Sequence, residues 1–173
     1  MKTKLIYLLL ASALVGGSST AFAQKAQSTS PYVSQVWNPD LGNGMYKNPV
    51  INADYSDPDV VCVGDDYYMT ASSFNCIPGL PILHSKDLVN WEIIGHAVTK
   101  LQPESEFDQP SHGNGVWAPC ISYHNGEFYI YWGDPDYGVF MVKTKDPAGK
   151  WDDPVCVIPG KGMIDTSPLW DED

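Results

Sequence analysis

Pro119-Cys120-Ile121-Ser122-Tyr123-His124-Asn125-Gly126-Glu127-Phe128-Tyr129-Ile130-Tyr131-Trp132 has the pattern of two strands joined by a tight turn. Two short β-prone runs flank His124-Asn125-Gly126-Glu127, and Asn-Gly between such runs is a hairpin signal. Working outward, Val139-Phe140-Met141-Val142-Lys143 predicts a third strand. Thr144-Lys145-Asp146 predicts a turn, and Trp151 is expected to open a fourth strand. The same series stands earlier in the chain. Asp59-Val60-Val61-Cys62-Val63 and residues 67–72 form a hairpin around Gly64-Asp65-Asp66. Pro81 to Ser85 is the third strand, Lys86 to Asn90 turns, and Trp91 to Gly95 is the fourth. The anchors keep register: Pro58 and Pro119 are 61 apart, Lys86 and Lys145 are 59 apart, Trp91 and Trp151 are 60 apart. A third copy begins at Asp165-Thr166-Ser167-Pro168-Leu169-Trp170.

A four-stranded unit at a fixed period is the sequence form of a β-propeller blade. A β-sandwich would also supply many short strands, but it gives no reason for Lys-Asp and Trp to recur at equal offsets. The expectation is therefore an all-β chain carrying about two blades and the start of a third. Closed propellers need roughly four to eight blades. The 173 residues thus predict the N-terminal part of a longer protein, aggregation-prone alone because its last blade edge is unpaired.

Residues 1–23 have the three parts of a secretory signal. Lys2 and Lys4 form a basic start, Leu5 to Val15 is apolar, and Ala21-Phe22-Ala23 is a cleavage site. Export to the periplasm or the medium is expected, with no membrane association after cleavage. Residues 24–44 read as a polar leader that becomes ordered near Tyr46, and residues 45–173 as the propeller portion. The formal net charge is -11, and removing Lys2 and Lys4 takes it to -13. All ten basic residues are Lys. Nucleic-acid binding, which normally needs a basic face, is thereby disfavoured. Aromatics make up 12% of the chain, with six Trp and ten Tyr, a composition suited to neutral, hydroxylated ligands. The four cysteines, Cys62, Cys76, Cys120 and Cys156, permit two disulfides in an oxidising compartment. Cys62, Cys120 and Cys156 lie in apolar runs, so buried thiols are the preferred reading.

Propeller ligands bind where the innermost strands converge. Those strands start at Ser56-Asp57-Pro58, Trp117-Ala118-Pro119 and Asp165-Thr166-Ser167-Pro168. Asp57 and Asp165 therefore share one rim, with Trp117 between them. Carboxylates facing one cavity are the minimal apparatus for glycosidic hydrolysis, and aromatic faces stack on sugars. The alternative for an Asp before Pro is an ordinary turn or cap.

Asn48-Pro49-Val50-Ile51 with Tyr55-Ser56-Asp57-Pro58-Asp59-Val60 resembles the opening of glycoside hydrolase family 43. The resemblance continues through Gly64 to Phe74, Pro78 to Trp91, Gly115-Val116-Trp117-Ala118-Pro119, and Ile164-Asp165 with Ser167-Pro168-Leu169. It covers residues 45 to 173 and is strongest for the β-xylosidase and α-L-arabinofuranosidase members. It implies a five-bladed propeller, an inverting mechanism, and xylose- or arabinose-containing plant carbohydrate as substrate. The family's general base falls on Asp57. Its third carboxylate, which orients the general acid and tunes its pKa, falls on Asp165. Its pocket aromatics fall on Trp117 and Phe74. The general acid is a Glu on a later blade, so the 173 residues alone are expected to be inactive.

Asp59 departs from the family pattern. Strand alternation puts it on the same side as Asp57, where it competes for the role of base. Asp57 is preferred, being in register with Asp165 through the following Pro. Two rival functions remain: a noncatalytic carbohydrate-binding propeller, which needs neither Asp57 nor Asp165, and a fructan-cleaving five-bladed hydrolase, whose opening signature differs. No cofactor is expected. Some relatives hold calcium on the propeller axis, but no spacing here requires it, and the oligomeric state is not readable.

Overall fold

The computed structural model describes Ser34 and residues 36–171. The expected secretory signal lies outside the described residues. Eight strands and one short helix follow in order: β1 (Asp59–Val63), β2 (Asp66–Thr70), β3 (Gly79–Ser85), β4 (Glu92–Val98), α1 (Glu104–Phe107), β5 (Trp117–His124), β6 (Glu127–Asp134), β7 (Gly138–Thr144) and β8 (Val155–Pro159). They make two four-stranded antiparallel sheets, ordered β1-β2-β3-β4 and β5-β6-β7-β8. The two meanders are the two repeats of the sequence, folded alike.

The hairpins close where the turn chemistry says. Val63 pairs with Asp66 across Gly64 at φ 64. His124 pairs with Glu127 across Asn125 and Gly126, both at positive φ (49 and 84), as a two-residue primed turn demands. The recurrent Lys-Asp turn also has a physical cause. Ser85 Oγ accepts the amides of Asp87 and Leu88 at 3.1 and 2.9 Å, and Asp87 Oδ1 accepts those of Val89 and Asn90 at 2.9 and 2.7 Å. In the second sheet Thr144 Oγ1 accepts the Asp146 amide at 3.2 Å, and Asp146 Oδ1 accepts that of Ala148 at 3.0 Å. Short polar side chains here replace the missing ladder partners. The recurrent Trp then locks the turn: Trp91 Nε1 donates to Leu88 O at 3.0 Å, and Trp151 Nε1 to Pro147 O at 3.3 Å.

The sheets pack face to face over one core. Leu80, Ile82, Ala97 and Val98 from the first meet Ile121, Phe128, Ile130, Trp132, Phe140 and Val142 from the second. Tyr68 reaches across edge-on to Phe128, with ring centroids 4.9 Å apart. The opposite flanks are apolar and exposed, at Val60 and Ile93 on one side and Val155 and Ile158 on the other.

Several details differ from the sequence reading. Trp151 does not open the fourth strand. It is 5% exposed and anchors the turn, while Pro154, which has no N–H for the ladder, delays β8 to Val155. The connection between β4 and β5, for which no element was expected, contains the one-turn α1 with Glu104 and Glu106 at its N-terminal end. Cys62, Cys76 and Cys156 are exposed, and Cys120 is half-buried; all four are free thiols. The buried-thiol reading is thus overturned for Cys62 and Cys156. Alternation explains Cys62: Val61 and Val63 face the core, so Cys62 faces away. The end of the stretch read as a polar leader is ordered: Asp40 bridges Tyr46 just beyond it, with Leu41 N–H donating to Met45 O at 3.1 Å.

Candidate active site

Each of the three repeat starts carries a backbone kink: ahead of β1 at Asp57, at the second residue of β5 at Ala118, and at Asp165 where the third copy begins. Asp57, Ala118 and Asp165 have φ of 49, 33 and 54, a left-handed conformation that costs a non-glycine residue roughly 1–2 kcal/mol. Such strain persists where surrounding contacts impose it, and it concentrates at functional sites. The shared kink also fixes the equivalence of the three repeats. Asp165 corresponds to Asp57 through backbone conformation, although two residues separate it from the following Pro168, whereas Asp57 directly precedes Pro58.

At the start of β5 a register shift between Trp117 and Cys120 inserts a bulge at Ala118-Pro119. The amide of Ala118 thereby leaves the ladder and turns to the first sheet, where it donates to Ser72 Oγ at 2.8 Å. Ser72 Oγ in turn donates to Asp57 Oδ2 at 2.7 Å, and Ser56 Oγ donates to the same oxygen at 2.7 Å. The Ser72 amide donates to Ser56 O at 2.9 Å, which ties the two hydroxyls to one frame. Hydrogen bonds from Ser72 first, then Ser56, hold the Asp57 carboxyl below the usual carboxylate range against a small opposing effect of burial. Asp57 is thus an ionised, oriented and solvent-accessible carboxylate.

Asp59 has different surroundings. Its Oδ2 accepts the amide of Ile121 at 2.8 Å, so it joins β1 to β5.

The third start is held against the same end of β5. Trp117 pairs with Gly133, and a Cβ on Gly133 would lie 2.4 Å from Met163 O and 2.7 Å from Ile164 Cα. Only glycine admits that approach. Further on, Ser167 Oγ lies 3.7 Å from Cys120 Sγ, and Trp170 stacks on His124 with centroids 4.2 Å apart. Residues 164–170 therefore run alongside β5 from its beginning to its end. Asp165 falls at the level of residues 117–120, and Asp57 is tied to the same level through Ser72.

The aromatics are brought together as well. Phe74 and Val116 form an isolated bridge with reciprocal amide bonds of 3.0 Å, which sets Phe74 beside Trp117. A Cβ on Gly115 would lie 2.4 Å from Phe74 O, so the bridge depends on that glycine. Trp117 Nε1 donates to Gly113 O at 2.6 Å, which fixes the indole. Sequence reading did not single out Ser56 or Ser72. Ser72 is one of two adjacent serines, and only the fold shows that Ser73 instead accepts the Leu80 amide, at 3.0 Å.

The glutamates occupy other places. Glu127 pairs with Lys143 at 3.2 Å and Tyr129 at 3.1 Å; Glu104 pairs with Lys100 at 3.0 Å. Among the described residues no group of three or more His, Cys, Asp or Glu could hold a metal ion. An apolar groove lined by Asn48 to Ile51, Val60, Met69 and Trp91 lies on the outer flank of the first sheet.

The sequence profile of Glycosyl hydrolases family 43 matches residues 46–173. A β-xylosidase of Formosa agariphila is 41% identical over 138 residues, covering 78% of this chain and 23% of the relative. A non-reducing-end α-L-arabinofuranosidase of Bacteroides ovatus is 41% identical over 134 residues, covering 75% and 25%. The crystal structure of a family 43 protein from Bacillus licheniformis superposes with a TM-score of 0.63 at 38% identity, over 73% of this chain and 27% of that one. The chain spans about a quarter of the length of these relatives. The chain belongs to glycoside hydrolase family 43, and its two sheets are two blades of that family's five-bladed propeller.

Proposed function

We propose that these residues are part of an exported, inverting glycosidase that removes xylose or arabinose units from plant polysaccharides or oligosaccharides. The observation that carries the reading is the Ser-clamped Asp57, held ionised beside the start of β5 where Asp165 also falls. Asp57 is the general base that takes a proton from the attacking water. Asp165 orients the general acid and, by like charge, raises its pKa so that it stays protonated at working pH. Trp117 and Phe74 form the aromatic wall against which the sugar stacks. The names of the β-xylosidase and arabinofuranosidase relatives support the substrate class. The secretory pattern of residues 1–23 supports export.

Inversion needs acid and base roughly 6.5–9.5 Å apart with a water between them. The family resemblance puts the acid on a glutamate of a later blade, and Glu104 and Glu127 are engaged in ion pairs of their own. The 173 residues alone accordingly do not hydrolyse nitrophenyl glycosides. The test is product NMR of the full-length protein on nitrophenyl β-xyloside and α-L-arabinofuranoside. An initially formed sugar of inverted anomeric configuration supports the reading. Retention, or no turnover of either sugar class with binding preserved, overturns it; the latter result favours a noncatalytic sugar-binding propeller.

A further inference from the structure

Ser72 carries a single hydroxyl hydrogen, and the structure fixes where it goes. The Ala118 amide, released from the ladder by the β5 bulge, occupies one lone pair of Ser72 Oγ at 2.8 Å. Its own hydrogen is then directed to Asp57 Oδ2 at 2.7 Å. The backbone of Ser72 is also held, by its amide on Ser56 O, and it follows Ala71, which is fully buried. Ser56 Oγ reaches the same carboxylate oxygen at 2.7 Å. Both hydroxyls load Oδ2 and neither loads Oδ1.

We infer that Ser72 is a positioning residue for the reaction: held by the Ala118 amide of the next blade, it pins Oδ2 of Asp57 and so assigns Oδ1 as the oxygen that receives the proton from water. The inference rests on Asp57 being the base. It makes the base depend on contact between two blades, because the orienting amide belongs to β5 and the carboxylate precedes β1. An oriented Oδ1 presents its lone pair along a defined direction, which is what proton abstraction from a fixed water needs. The other charged groups at this end of the blades are Asp59, bonded to Ile121, and Asp165 at the third start. Both are carboxylates, and like charge raises a neighbour's pKa. The lowering at Asp57 therefore belongs to the two hydroxyls.

The experiment is kcat/KM against pH for the full-length protein with an aryl xyloside or arabinofuranoside, comparing Ser72→Ala, Ser72→Cys and Ser72→Thr with the parent. Loss of one of two donors should move the acidic limb up by ~0.5–1 pH unit. Ser72→Cys, a weak donor of similar size, should move it the same way, and Ser72→Thr, which keeps a hydroxyl, should restore it. Turnover should fall with KM little changed, since the sugar-facing aromatics are untouched. Should Ser72→Ala fail to fold, the Cys and Thr variants still decide. An acidic limb unchanged in every variant, or displaced equally by Ser72→Thr and Ser72→Cys, overturns the inference. Asp57→Asn separates the two ideas. Full activity in Asp57→Asn removes the base assignment itself, whereas an inactive Asp57→Asn beside an unaltered Ser72→Cys profile removes only the role of Ser72.

Discussion

The carboxylate of Asp59 accepts the backbone amide of Ile121 at 2.8 Å, and this places the two neighbouring aspartates of the first blade in different roles. β5 is the innermost strand of its sheet, so its inner edge has no ladder partner, and Asp59 supplies an acceptor there. Asp59→Ala should leave the Ile121 amide unsatisfied and cost about 1–3 kcal/mol. Denaturant unfolding of the full-length protein measures it. Asp59→Asn, which keeps an acceptor oxygen, should cost less.

Asp165→Asn should lower turnover and move the basic limb of the pH profile to lower pH. In the proposed role the negative charge of Asp165 raises the pKa of the general acid, so its removal would let the acid deprotonate earlier as pH rises. A basic limb that stays put, measured by kcat/KM against pH, contradicts the assigned role.

Gly115→Ala should disturb the aromatic wall without touching a carboxylate. Its φ is +94, and the new Cβ would meet Phe74 O at 2.4 Å. Phe74 must then move from Val116, at a strain of about 1–3 kcal/mol. The readout is a raised KM with the acidic limb of the pH profile unchanged.

Asp87 gives a pH signature of the repeat turn. Burial alone would raise its pKa, but the Asn90 amide and side chain, the Val89 amide and Ser85 together lower it from 3.8 to about 2. A group depressed in the folded state stabilises above its unfolded pKa and loses that contribution as pH falls through the folded value. Acid unfolding should therefore steepen between pH 3.8 and 2. In Asp87→Ala, stability should be lower at neutral pH and flatter across that window, as followed by circular dichroism.

Much of the fold was legible in the sequence because its repeats are local. The Asn125-Gly126 turn, the Ser/Thr-Lys-Asp turns and the indole-to-carbonyl locks all act within a few residues, so their spacing appears directly in the chain. Trp151 misleads for the same reason: it recurs at the right offset, yet its role is to lock the turn, and Pro154 sets where β8 begins. Alternation in β1 was readable, but which face meets the second sheet was not, hence the exposed Cys62. Asp57, Asp165, Trp117 and Phe74 were each proposed from repeat-equivalent or family-matching positions. What joins them was not visible. Ser72 reaches Ala118 across 46 residues, and Asp59 reaches Ile121 across 62. Both contacts exist only because a bulge and a blade interface bring the two repeats side by side. The separation of Asp57 from Asp59 accordingly comes from hydrogen bonding, where alternation alone left them equivalent.

The central claim is that Asp57, and not Asp59, activates water. Single-turnover and steady-state rates of full-length Asp57→Asn and Asp59→Asn on one nitrophenyl substrate test it most directly. A loss of roughly 10²–10⁴-fold is expected at Asp57 and a change of only a few-fold at Asp59, with KM little altered in both. A larger loss at Asp59, or an Asp57→Asn rate within a few-fold of the parent, would contradict it.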